Sequence, residues 1–450
     1  MQENLQYRQA RLTRDARFDG LFFVAVKTTG IFCRPICPAT SPKEENVEYF
    51  SMAQLAMQAG YRPCLRCRPD SAPHSWAWKG VDTTVERGLK LLADHPELSV
   101  TEISVKLGIT DRYFRQLFKQ KLGISPKQYQ LFEQLLFAKQ LLHQSALPVE
   151  HIAQASGFLC ARRLQDNLQR HAYLTPSQIR QNPRQASQRI ALQLAFRPPY
   201  NWPQVRDFLA RRAVPGMEEV LPDSYSRTFS LEKCKGWFCA TYQPLKQCFT
   251  LSLELDKVSQ LKIVLAEIRR ILDLDADTRL ISAQLSEAGV TEAFVVDGLR
   301  IPGIWSTFEA GCRAILGQQI SVSAAVKLVA TLVRELGIEE EHRFYFPHPT
   351  ALANSDLAFL GMPESRKATL KAFAAFCATQ PENADLDTWM TIKGIGPWTI
   401  AYAKMRGQSQ PDIWLDTDLV IKKQLATLQI DPERVRPWRS YLTFQLWSMA

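Results

Sequence analysis

Two close pairs of cysteines constrain the start of this chain more than any other feature. Cys33 and Cys37 enclose Arg-Pro-Ile in TTGIFCRPIC, and Cys64 and Cys67 enclose Leu-Arg in YRPCLRCRP. Such pairs can be metal ligands, disulfides, or a nucleophile with its helper. The opening residues, MQENLQYRQARLTRDARFDG, have no apolar core and do not read as a secretory signal. No apolar run is long enough to span a bilayer. The expected location is therefore the cytoplasm, where thiols stay reduced and ten cysteines do not make a disulfide framework. Six of them (Cys160, Cys234, Cys239, Cys248, Cys312 and Cys377) lie scattered among apolar neighbours and read as small core residues. The paired four, Cys33, Cys37, Cys64 and Cys67, read as a tetrahedral zinc site, since zinc accepts four sulfurs and short spacings bring each pair into reach.

That cluster can be structural or reactive. Thiolates on zinc stay ionised at neutral pH, so four of them leave a net charge of about −2 on the site. Such a charge repels DNA phosphate unless something neutralises it, and Arg34, Arg62, Arg66 and Arg68 crowd the cysteines. Methylating one sulfur removes one negative charge, and a zinc-bound thiolate is a nucleophile able to accept the methyl group. The chain as a whole carries a formal +10, which favours an anionic partner, with nucleic acid ahead of acidic lipid. The segments FFVAVKTTGIFCRPICP, ENVEYF and AGYRPCLRCRPD resemble the N-terminal domain of the bacterial Ada response family. That resemblance implies zinc as cofactor, Cys33 as acceptor of a methyl group from a DNA phosphotriester, and the other three cysteines as the remaining ligands. PATSPKE departs from a more basic stretch of the family.

Residues 84 to 180 read as helical. Ile103, Leu107, Ile109, Phe114, Leu117 and Phe118 recur at helical spacing. Gly108 marks a turn between two short helices, and Thr110 or Asp111 can cap the next. That next helix offers Arg112, Arg115, Gln116 and Lys119, side chains suited to phosphates and base edges in a major groove. An ordinary bundle with a solvated charged face would show the same pattern. A second copy follows, and IAQASGF and LTPSQIR resemble the AraC-type double helix-turn-helix. Leu164 and Leu168 stand where that family usually has aromatics, and Tyr173 where it usually has glycine. Ada-like proteins join these two parts, which implies a methyl-triggered transcriptional activator that meets RNA polymerase. The Pro-Cys-His-Arg motif of a second methyltransferase domain is missing.

QNPRQASQR reads as a linker. Beyond it, Ile190, Leu192, Leu194 and Phe196 alternate as in a strand, as do Phe249, Leu251, Leu253 and Leu255. Helical stretches near 203–212 and 257–272 complete an α+β unit with an antiparallel sheet. From about 305 the pattern is helical to the end. Within it MTIKGIGPWTIAYAKMRG holds Gly394 and Gly396, which permit a tight turn with amides facing a phosphate. Asp418 lies beyond, with Asp416 as neighbour; either is also a plain helix N-cap.

FRPPYNWPQVRDFLARRAVPGMEEV, FEAGCRAILGQQISVSAA, GIGPWTIAYAKMRG and RPWRSYLTFQLW resemble the AlkA-type 3-methyladenine DNA glycosylases over nearly all of 190–450. The resemblance implies Asp418 as catalytic carboxylate, Trp398, Tyr402 and Trp447 as base-binding aromatics, and Gln319 at the intercalating position. Carbonyls near Met390, Ile392 and Ile395 are implied holders of a monovalent cation at the hairpin. Alkylation at N3 or N7 makes a purine cationic, and an aromatic pocket attracts it once the nucleotide is flipped from the stack. Trp398 occupies the place of the lysine used by strand-cutting relatives, and a C-terminal iron–sulfur cysteine cluster is missing, so hydrolysis alone is expected. Length alone suggests about three domains, and the motifs separate four. The expected fold class is a multidomain, mainly α chain with α+β parts: a zinc-binding α+β domain (1–80), an AraC-type helical domain (81–185), a TBP-like α+β domain (186–300) and a helix-hairpin-helix glycosylase domain (301–450). The expected partner is double-stranded DNA, without a membrane, for a monomeric protein. A DNA-binding regulator with a structural zinc site and a silent glycosylase fold is the alternative.

Overall fold

A parallel strand pairing sets the first cysteine pair beside the second. Strands β1 (Phe23–Val26), β2 (Ile31–Cys33), β3 (Val47–Phe50) and β4 (Arg62–Pro63) form a sheet in the order β3-β1-β2-β4. The KTTG turn joins β1 to β2: Gly30 takes φ +63° and donates its N–H to the Val26 carbonyl at 2.9 Å, a left-handed conformation that favours glycine. β4 returns parallel to β2, with Phe32 opposite Pro63, after a crossover that contains the helix Ala53–Gln58. The Cys64 N–H then donates to the Phe32 carbonyl at 2.9 Å. Cys33 ends β2 and Cys64 follows β4, so the register itself brings them together. Phe22 and Val24 pack with Tyr7, Val47 and Tyr49 beneath the sheet. The computed structural model describes residues 7–449 except 9, 13, 15–21, 38, 65, 68, 70–82, 95–97, 181–188, 232–233, 292–294, 381–384, 426–427 and 429. Arg68 and nearly all of the QNPRQASQR linker lie outside the described residues.

The helices expected after residue 84 form, and their ends are set by side-chain caps. Val100–Leu107 starts at a capping box of Ser99 and Glu102 and stops at Gly108, φ +71°. Asp111–Leu122 is capped by Thr110, and Pro126–Gln144 by a box of Ser125 and Gln128. Phe114 and Phe118 are fully buried against Ile103, Val85 and Leu92. The second copy repeats the helix pair as Val149–Ala155 and Ala161–Ala172, though neither of these starts at a side-chain cap. Leu164 and Leu168 are fully buried, so leucines fill the positions where aromatics are usual. Tyr173 ends the helix in the left-handed region at φ +53° with its side chain exposed.

Contacts divide the chain into two units, Met1–Gln193 with Lys257–Ala266, and Leu194–Asp256 with Glu267–Ala450. Strands β5 (Ile190–Ala195), β6 (Glu218–Val220), β7 (Ser224–Leu231), β8 (Cys234–Gln243) and β9 (Cys248–Leu255) form a sheet in the order β5-β9-β8-β7-β6. Strands β6 to β9 belong to the second unit, and β5 begins in the first and ends in the second. Neighbours from β6 through β9 are antiparallel. The alternating segments expected at 190–196 and 249–255 are β5 and β9. From residue 307 the chain is helical apart from a short hairpin, Glu339–Glu340 with Arg343–Phe344.

A closed square of charge joins this sheet to the helix Thr307–Leu316. Arg227 on β7 meets Glu309 at 2.8 Å and Glu218 at 3.4 Å, and Arg313 meets Glu218 at 2.7 Å and Glu309 at 2.8 Å. The Arg313 and Arg227 charges hold the Glu218 carboxyl down at about 2, against the opposing effect of burial, which is the largest single influence. Removing one member leaves its partner charged and dry, a change that costs about 3–5 kcal/mol.

Tyr173 supplies a direct check on the second helix-turn-helix. A non-glycine residue in the left-handed region costs about 1–2 kcal/mol, part of which glycine loses again as chain entropy. Tyr173→Gly is therefore expected to raise stability by about 1 kcal/mol in urea unfolding. A loss of stability would mean that the exposed ring has a packing role.

Candidate functional site

The first site grows from the β2–β4 pairing. The Sγ atoms of Cys33, Cys37, Cys64 and Cys67 all lie within 4.8 Å of one another. Zinc–sulfur bonds of about 2.3 Å in a tetrahedron set sulfur–sulfur edges of about 3.8 Å, so the cluster fits one zinc ion after slight contraction. Without a cation the four sulfurs cannot all be thiolates. Contact with Cys37, then with Cys64 and Cys67, raises the Cys33 thiol, while Cys37 is lowered to about 7, chiefly by Cys33. The Arg34 amide donates to Cys67 Sγ at 3.3 Å, and its guanidinium donates to the Cys67 carbonyl at 3.4 Å. Exposure separates the four: Cys64 and Cys67 are buried, whereas Cys33 and Cys37 are partly open to solvent.

The second site is the exposed face of Asp111–Leu122. Arg112, Arg115, Gln116 and Lys119 all point outward while Phe114, Leu117 and Phe118 face the core. Arg115 Nε is bonded to both Asp111 oxygens at 3.0 Å, and Lys119 Nζ to the Gly123 carbonyl at 2.9 Å. Arg112 and Gln116 have no side-chain partner among the described residues. The matching face of Ala161–Ala172 exposes Arg162, Arg163 and Arg170.

The third site brings together three residues that are far apart in sequence. Trp398 on the helix Pro397–Gly407 donates its indole N–H to Asp418 Oδ2 at 3.2 Å. Trp447 on the helix Arg439–Ser448 donates to Asp418 Oδ1 at 3.3 Å. Asp418 also accepts the amides of Val420 and Ile421 at 3.0 and 3.2 Å. The plain N-cap reading is thus true of Asp418, and it holds alongside the two indole contacts. Tyr402, one turn beyond Trp398, stacks on it with ring centroids 5.2 Å apart and planes 18° from parallel. All four side chains are partly open to solvent, and Asp416 is exposed.

The hairpin and the loop after Thr307–Leu316 face the same helix. Gly394 takes φ +93°, and a Cβ there would meet Thr369 Oγ1 at 2.2 Å, so glycine is required. Gly396 differs from the expectation that both glycines serve the turn: its φ is −116°, it caps Pro397–Gly407, and open space surrounds its missing Cβ. Gln319 is exposed at φ +58°. Two residues escaped the sequence reading. Gln318 Nε2 reaches the Gly394 carbonyl at 3.2 Å and Thr399 Oγ1 at 3.4 Å, and Arg406 Nη1 reaches Tyr402 Oη at 3.2 Å. Gln318 carries no sequence signal, since its contacts cross the fold, whereas Arg406 stands one turn from Tyr402 on the same helix, an i,i+4 spacing that the sequence does show.

Three family descriptions match the chain: "Metal binding domain of Ada" over residues 6–70, "Helix-turn-helix domain" over 103–182, and "AlkA N-terminal domain" over 191–306. The probable bifunctional transcriptional activator/DNA repair enzyme AlkA of Mycobacterium tuberculosis is 33% identical over 97% of this chain and 94% of its own length. DNA-3-methyladenine glycosylase 2 of Escherichia coli is 33% identical over 56% of this chain and 95% of its own. The Escherichia coli bifunctional transcriptional activator/DNA repair enzyme Ada is 35% identical over 27% of this chain and 34% of its own.

Metal removal tests the first site. Stripping zinc with a chelator is expected to free four titratable thiols and lower the thermal midpoint, because metal binding and folding are coupled in small cysteine sites. An unchanged midpoint with those thiols exposed would count against a structural contribution from zinc.

Proposed function

This chain belongs to the family of bifunctional transcriptional activator/DNA repair enzymes, and we propose how its residues divide that work. Residues 1–80 take a methyl group from a DNA phosphotriester, 81–185 bind promoter DNA, and 186–300 support a glycosylase domain at 301–450. The observation that carries the excision half is the convergence of the Trp398 and Trp447 indoles on Asp418 beside the stacked Tyr402. An alkylated purine is cationic and electron-poor, so Trp398 and Tyr402 attract its face once the nucleotide is flipped out. Gln319 fills the gap it leaves, the amides at Gly394 and Gly396 bind the phosphate backbone, and carbonyls of Met390, Ile392 and Ile395 would hold a monovalent cation that offsets the phosphate charge. As the glycosidic bond breaks, the base leaves with the bonding electrons and the sugar becomes oxocarbenium-like. Asp418 stabilises that charge, orients a water toward the anomeric carbon, and takes its proton. With Trp398 where a lysine amine would be needed for strand cleavage, the reaction ends at hydrolysis.

At the first site Cys33 is the acceptor, as its place as first cysteine of the first pair in the Ada resemblance implies; it shares with Cys37 the greater openness to solvent, compared with Cys64 and Cys67. Zinc supplies an ionised thiolate when bound. The Cys33 sulfur attacks the methyl carbon, a carbon–sulfur bond forms, the carbon–oxygen bond breaks, and an ordinary phosphodiester is released. The site loses one negative charge and its repulsion of DNA falls. Arg112, Arg115, Gln116 and Lys119 then hold promoter DNA, and a monomer presents it to RNA polymerase.

Asp418→Asn tests the excision half, because asparagine keeps the helix cap and removes the charge. Release of 3-methyladenine or 7-methylguanine from alkylated duplex is expected to fall at least about 100-fold, in line with the loss of a charge-stabilising catalytic group, while DNA binding persists. Excision at the parent rate would remove Asp418 from the mechanism.

A further inference from the structure

Behind Tyr402 lies a small cavity with more positive charge than the protein neutralises. Its volume is about 20 Å³, and Arg212, Glu218, Arg227, Arg313, Tyr402 and Arg406 contribute to its walls. That is room for one guest of about the size of a water molecule. Arg227 and Arg313 are matched there by Glu218 and Glu309 in the closed square. Glu218 is also bonded to Tyr225 Oη at 2.8 Å and to the Val214 amide at 3.1 Å, so its oxygens are fully engaged.

Arg212 and Arg406 are left over. Neither has a carboxylate partner among the described residues. Arg406 is 2% exposed; its Nε donates to the Pro302 carbonyl, its Nη1 to Tyr402 Oη at 3.2 Å, and its Nη2 to no protein atom among the described residues. Arg212 donates only to the Phe208 carbonyl, at 3.3 Å. Both guanidinium groups sit on the same Phe208 ring, with Cζ atoms 3.8 and 4.6 Å from its centroid. Sharing that ring, the two cations repel each other in a poorly hydrated place. Burial pushes Arg212 down to about 10 and lowers Arg406, with Arg406 adding to the first shift by charge repulsion. Carbonyls and an aromatic face carry no full negative charge, so they leave both cations uncompensated.

We propose that this cavity is a binding site for a small monovalent anion such as chloride, held between the guanidinium groups of Arg212 and Arg406. A water molecule would fill the volume but not balance the charge. A phosphate or a carboxylate is too large for the space. Arg212 is only partly buried, which gives an ion a way in and out. The bound anion fixes Arg406 against Tyr402 Oη and makes the charge behind that ring smaller.

Crystals of the full chain grown in bromide test the site through anomalous scattering. The expected result is a bromide peak in contact with both guanidinium groups, absent in Arg212→Met. In solution, the thermal midpoint of the parent protein is expected to be higher in chloride than in gluconate at equal ionic strength. That difference should vanish in Arg212→Met and shrink in Arg212→Lys, which keeps a cation but not the planar fork. An ordered water in place of bromide would overturn the proposal. So would a bromide peak without any chloride effect on the parent's midpoint, since that would be an adventitious ion only. Both measurements on the parent protein stand even if the variants fold poorly.

Discussion

Arg227 and Arg313 meet Glu218 and Glu309 with almost no water between them, and the second unit hangs on that closed square. Three of its sides lie between 2.7 and 2.8 Å, and it fixes the sheet against the helix that leads to Gln318 and Gln319. The same constraint governs the other places where charge leaves water. Four cysteine sulfurs within 4.8 Å can all ionise only around a cation, and Asp418 collects four N–H donors. Desolvated charge must be met by opposite charge or by donors.

Both proposed reactions turn on a charge that a methyl group changes. A methyl on a phosphate removes a negative charge from DNA, and moving it to Cys33 removes one from the cysteine cluster. A methyl on a purine adds a positive charge, which the stacked rings of Trp398 and Tyr402 can sense and Asp418 can follow into the sugar. One chain thus meets two lesions of the same chemical origin. The first is recorded in the protein, and the second is removed from the DNA.

Much of this could be read in the sequence. Cysteine spacing is a local signal, and it picked out the four cysteines whose sulfurs the fold gathers within 4.8 Å. The first helix-turn-helix was legible because its turn, Gly108, and its cap, Thr110, stand next to the apolar periodicity they interrupt; the second has no side-chain cap on either helix and came from the resemblance to a family. Asp418, Trp398, Tyr402 and Trp447 came from the resemblance to a family, since nothing local says that indoles 20 and 29 residues from an aspartate will bond to it. Strand β7 gave no clear pattern: it is buried along most of its length, Arg227 included, so no polar face alternates with an apolar one. The contacts of Gln318 were invisible because they exist only after distant segments pack, while the i,i+4 pairing of Arg406 with Tyr402 was open to reading and was missed. Gly396 misled the reading, because a glycine beside a turn need not be the one that makes it.

The most direct test of the account lies at the cysteines, where metal centre and nucleophile are proposed to be the same residues. Zinc-loaded protein is incubated with DNA carrying methyl phosphotriesters, digested, and searched by mass spectrometry for the peptide that has gained a methyl group. The account predicts the methyl on Cys33. A methyl on another residue, or none while zinc is confirmed in place, would contradict it.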